Sequence, residues 1–71
     1  GRPDLLRAMA MDPVMTDDGY TYLVTKIDRR VDPYLASIRT PSGAYHGTLC
    51  STEGSALSWC RKFIDANRRR A

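Results

Sequence analysis

One segment of helical periodicity closes this chain, and most of what precedes it reads as strand. In EGSALSWCRKFIDANRRR, Ala56, Trp59 or Cys60, Phe63 and Asn67 recur at helical spacing, with Leu57 and Ile64 beside them. Ser51 or Thr52 can cap that helix, and Glu53 places a carboxylate near the positive end of its dipole. Arg68, Arg69 and Arg70 fall at the negative end, where cations are favoured. A lone amphipathic helix and a few short strands have few ways to share a core. The helix must cover one face of the sheet, and the other face is left to solvent or to a partner.

The strands follow from composition and turn chemistry. YTYLVTKID is rich in aromatic and β-branched residues, which predicts a strand over 20–28. The charged RRVD and Pro33 form the connection, because proline cannot donate to a ladder. PYLASIRT alternates, which predicts a second strand over 34–40. Pro41, Ser42 and Gly43 are a turn signal, with glycine free to take positive φ. A third strand over 44–49 then forms an antiparallel hairpin with the second. The expected fold class is α+β: a three-stranded antiparallel sheet packed on one C-terminal helix, in the order βββα. Residues 20–71 form that single domain. Residues 1–19 read as a flexible N-terminal lead, proline-interrupted and methionine-rich, with Asp17 and Asp18 starting a turn. If Met11 is the native start, residues 1–10 are a scar of expression. The rival reading docks Leu5, Leu6 and Met9 on the domain as a short amphipathic turn.

With 71 residues the core is small, and a domain near this size buries only ~60% of the surface its unfolded chain exposes. A large internal cavity is not expected, so neither a small-molecule substrate nor a cofactor is expected, and no residue is assigned a catalytic role. His46 and Cys50 could pair as imidazole and thiol, but a strand-end cysteine is the simpler reading. His46, Cys50 and Cys60 lack a CxxC pair and a fourth ligand, so no metal site is expected. Two free thiols in a reducing compartment point to a cytoplasmic protein. No apolar run approaches the ~20 residues of a membrane span. Eleven Lys and Arg against eight Asp and Glu give a net +3. That mild excess suits a few phosphate contacts on DNA, and it equally suits a protein-binding module.

Period two sorts the strands into faces. Tyr34, Ala36 and Ile38 share the face that receives the helix, and Leu35, Ser37 and Arg39 share the open one. Leu23 and Ile27 look like core, which leaves Tyr22 and Lys26 outside. In the third strand Tyr45 and Gly47 oppose Ala44, His46 and Thr48. The open face then presents Tyr22, Lys26, Arg39 and Tyr45, with Arg29 and Arg30 in a loop beside it. Basic side chains interleaved with aromatics on a sheet suit nucleic acid.

The stretch ASIRTPSGAYHGTLCSTEGSALSWC, residues 36–60, resembles the plant ethylene-response-factor (apetala-type) DNA-binding domain. Ala36, Ile38, Arg39 and Pro41 match that family's A-E-I-R-D-P stretch. Gly43 matches its turn, and Gly47 and Thr48 match W-L-G-T-F. Glu53, Ala56, Leu57 and Trp59 follow its helix pattern. The arm-site-binding N-terminal domains of tyrosine recombinases share the same order of elements. Tyr45 stands where the family has tryptophan, His46 where it has a core leucine, and Ser37 where it has glutamate. The resemblance implies a sheet that reads the major groove, with Arg39 and Tyr45 at DNA-contacting positions. The expected function is a non-enzymatic module binding double-stranded DNA through Lys26, Arg29, Arg30, Ser37, Arg39 and Tyr45. Such a module would serve as a phage or mobile-element regulator or as a recombinase accessory domain. The alternative is a small regulator that docks on a protein through the same face, using Tyr22, Leu35 and Tyr45 as anchors.

Overall fold

A computed structural model describes residues 11–70. Its elements are β1 (Val14–Met15), β2 (Thr21–Lys26), β3 (Tyr34–Arg39), β4 (Tyr45–Cys50) and a single helix, α1 (Glu53–Arg70). The α+β class and the C-terminal helix are as expected. The sheet has four strands in the order β1-β2-β3-β4, all antiparallel, where the sequence predicted three.

The additional strand lies in what read as the flexible lead. Val14 pairs with Tyr22 and Met15 with Thr21. A tight turn makes this possible. The Thr16 amide donates to the Tyr20 carbonyl at 2.8 Å, and the Gly19 amide to the Thr16 carbonyl at 3.1 Å. Gly19 sits at φ 96°, in the left-handed region that glycine tolerates. Residues 14–19 therefore belong to the sheet and its first turn. The readings placed on residues 1–10 lie outside the described residues.

The second turn joins β3 to β4. Gly43 takes φ 95° and its amide donates to the Thr40 carbonyl at 2.9 Å. The buried Thr40 holds the turn from within, its hydroxyl accepting from the Ala44 amide at 3.2 Å. The helix starts at a side-chain cap: Thr52 Oγ1 accepts from the Ser55 amide at 3.0 Å. Glu53 in the first turn and Arg68 to Arg70 in the last match the helix dipole.

The core is one layer between α1 and the sheet. Tyr20, Val24, Ala36, Ile38, Ala56, Cys60 and Ile64 are buried in it. Ala56, Cys60 and Ile64 form a stripe four residues apart on the helix, with Trp59 and Phe63 packed at its flank. The small side chains of Ala36, Ala56 and Cys60 let helix and sheet approach closely. Tyr20 closes one end, its hydroxyl accepting from Asn67 Nδ2 at 2.6 Å.

The faces of β3 and β4 are as the alternation predicted, and those of β2 are reversed. Tyr22 opposes Ile38, and Val24 opposes Ala36. Directly opposed residues share a face. Tyr22, Val24 and Lys26 therefore lie on the helix side, and Thr21, Leu23 and Thr25 lie on the open face. Ile27, expected in the core, falls past the end of the strand and is half-buried. Both alternating sets of TYLVTK contain apolar residues, so size alone pointed the wrong way. Pairing decides it: only Val24 meets the small Ala36 beneath the helix.

Candidate nucleic-acid interface

The open face is built in three cross-strand rows. Thr21, Arg39 and Tyr45 form one, with Met15 extending it. Leu23, Ser37 and Gly47 form the next, and Thr25, Leu35 and Leu49 the last. Around the small Ser37 lies a shallow depression of about 170 Å³, lined also by Pro13, Thr21, Leu23, Arg39 and Tyr45 and reached at its border by Tyr22.

Arg39 and Tyr45 are directly opposed and both exposed, Tyr45 to 71%. The Arg39 guanidinium carbon lies 5.5 Å from the centre of the Tyr45 ring, a cation–π arrangement that holds the fork against the sheet. No acidic residue occurs in β2, β3 or β4. Among the described residues the ion pair joins Arg68 to Asp18, away from this face. Among the described residues no ion pair holds the Arg39 guanidinium. Ser37 lies two residues along the same strand, its hydroxyl 3.5 Å from the Leu23 carbonyl, a weak bond that leaves it available.

The six candidate residues do not form one cluster. Ser37, Arg39 and Tyr45 share the open face. Lys26 is exposed at the opposite end of the sheet and has helix-side parity, which corrects its expected place beside Arg39. Tyr22 is likewise not on the open face and packs against the core. Arg29 and Arg30 sit in the connection between β2 and β3, at the same end as Lys26. Arg29 Nε donates to the Val31 carbonyl at 2.8 Å, so its side chain folds onto its own loop. At ~3.3 Å per residue, a six-residue strand puts roughly 17 Å between the two groups. Thr21 and Leu23 were not expected on the face; only the register with β3 reveals them.

The thiol–imidazole pairing does not form. His46 and Cys50 stand four residues apart on one strand, about 13 Å at that rise. The His46 ring instead leans on Phe63, centroids 4.6 Å apart, and Phe63 in turn meets Trp59 at 5.4 Å. Cys50 and Cys60 are free thiols. Burial, with a smaller contribution from nearby Cys50, pushes the Cys60 thiol up to about 11, so it stays protonated at neutral pH. Among the described residues no group of three or more His, Cys, Asp or Glu is placed to hold a metal ion. No helix among them is long and apolar enough to cross a membrane. Comparison of this chain with protein-family models, curated proteins and solved structures found no match.

Proposed function

We infer that this protein is a non-enzymatic module that binds duplex DNA with the helix-free face of its sheet. The observation that carries the reading is Arg39 stacked on Tyr45, exposed, on strands that hold no acid. The major groove is about 12 Å wide and admits a β-ribbon. With strands crossing it, the ~17 Å between the sheet's ends exceeds that width. Arg39 and Tyr45 then meet one side of the groove, while Arg30, joined by Lys26 and Arg29 once their long side chains swing toward the duplex, approaches the phosphates of the other. Phosphate contacts supply affinity and register, and Arg39 supplies the fork that reads a guanine edge. Ser37 and Thr21 offer hydroxyls between them, and Leu23 offers methyl groups suited to thymine. The likeness of residues 36–60 to apetala-type domains supports the same role, in a phage or mobile-element regulator or a recombinase accessory domain.

A second reading has its own observation. Leu23, Leu35 and Leu49 share the open face with Met15, which is 74% exposed. Such a face also suits a protein surface. The two readings separate in an NMR titration of the labelled chain with a short random-sequence duplex at low and moderate salt. DNA binding predicts shifts at Ser37, Arg39 and Tyr45 that fade as salt rises. Arg39→Ala is expected to weaken binding by about 1–3 kcal/mol. Absent shifts at low salt, or unchanged affinity in Arg39→Ala, would transfer the face to a protein partner.

A further inference from the structure

The two edges of this sheet differ. On one side β1 is two residues long and follows Pro13, so little strand is left open. On the other side β4 presents six residues, Tyr45–Cys50, paired to β3 without a bulge. Folded proteins guard such an edge with lysine, proline or a bulge, because its free amides and carbonyls invite another strand. Here none of these is present within β4. No Asp, Glu, Lys or Arg occurs anywhere between Arg39 and Glu53.

The helix flank over that edge is aromatic along the strand. Phe63 stacks on His46 of β4, and Trp59 stacks on Phe63, so this flank of α1 is aromatic. On the β1 side, Arg61, Asp65 and Arg68 border a recess with Thr16 and Tyr22. Below the sheet, Tyr45 and Leu49 are 71% and 38% exposed.

The hydrogen-bond alternation fixes which groups are free among the described residues. The Thr40 amide bonds the Ala44 carbonyl at the turn, and the Ile27 amide bonds the Pro33 carbonyl at the far end of β3. Both set the same phase. Tyr34, Ala36 and Ile38 bond to β4, through Cys50, Thr48 and His46. The amides and carbonyls of Tyr45, Gly47 and Leu49 therefore point away from the sheet.

We propose that two copies of this chain join through β4, antiparallel about a two-fold axis at Gly47, into one continuous sheet. In that register Gly47 faces Gly47 of the second copy, and Tyr45 faces its Leu49. Each of these pairs is of the hydrogen-bonded kind, so the free groups of one edge meet those of the other. Opposed residues keep the same parity, so both helices lie on one side and both open faces on the other. A two-fold axis sets a segment against itself, and an uncharged segment meets no like charge. Tyr45 against Leu49 is an aromatic–aliphatic cross-strand pair, a favourable contact in sheets. The pairing does not depend on what the open face binds.

Sedimentation equilibrium of the full chain, without nucleic acid, over a concentration series tests this. The expected mass rises toward twice 8.0 kDa with concentration. Hydrogen exchange at the Tyr45, Gly47 and Leu49 amides slows with it, and that at His46, Thr48 and Cys50 does not. Isotope-mixed samples show an intermolecular contact between His46 and Thr48 backbones, the unbonded pair of this register. Leu49→Lys puts the usual edge guard in place at a partly exposed site and weakens association by about tenfold or more. Its far-UV circular dichroism reports that the chain still folds, and Leu49→Ser serves if it does not. A monomer mass at every concentration overturns the proposal. So does a dimer that leaves those three amides unprotected and responds to substitution at Leu23 or Leu35 instead.

Discussion

Among single residues, Asp18 has the most defined electrostatic setting. Arg68 grips its carboxylate with two donors, Nε at 2.7 Å and a terminal nitrogen at 2.9 Å, and the Thr16 hydroxyl adds a third at 2.6 Å. The Arg68 guanidinium, then the Thr16 hydroxyl, hold this carboxyl far below the usual carboxylate range. The folded state thus prefers the ionised form. Its stabilisation is fully present above the unfolded value near 3.9 and is lost as pH falls toward the lowered one. Both side chains are about half exposed, so the effect is small at ordinary salt. Asp18→Asn should lower the urea midpoint slightly at pH 7, and the gap to the parent chain should narrow from about pH 4 downward. A gap as wide at pH 2 as at pH 7 would mean that the ion pair is not its source. The Asp17–Asp18 turn was legible in the sequence, since both acids precede a glycine. The grip of Arg68 was not, because fifty residues separate the partners.

For the elements, legibility followed how much of each signal is local. The helix announces itself through a cap at Thr52 and, within its own eighteen residues, a stripe and a charge gradient. The β3–β4 hairpin does so through Pro41 to Gly43 and the alternation on either side. The faces of β2 depend on which residue meets Ala36, and no local pattern carries that. A two-residue strand such as β1 is too short for any period to show. The candidate site inherits the same division: Ser37, Arg39 and Tyr45 were placed correctly because the hairpin was, and Lys26 was misplaced with β2. The observed parity predicts a mutational contrast. Ile38→Ala empties the centre of the core and should cost about 2–5 kcal/mol in denaturant unfolding. Leu23→Ala, on the open face, should cost clearly less. Equal losses would place Leu23 in a packed environment that this sheet does not provide.

Across the whole molecule, the basic groups on the sheet divide between its two ends, and salt reads out whether both touch DNA. Phosphate contacts from Lys26, Arg29 and Arg30 imply a log–log slope of binding against salt of about −2.7. Replacing all three by alanine should leave the slope nearly flat. A parent slope already that shallow would mean that one end alone meets the duplex, and that the sheet does not bridge the groove. A different consequence follows from the bond between Tyr20 and Asn67. It joins groups 47 positions apart, one ahead of the first long strand and the other in the last turns of the helix. A chain emerging from the ribosome cannot close that contact until Asn67 is outside it. The start of the first long strand and the last turns of the helix are thus tied by a contact of high sequence separation, the kind that costs most chain entropy to close and slows folding.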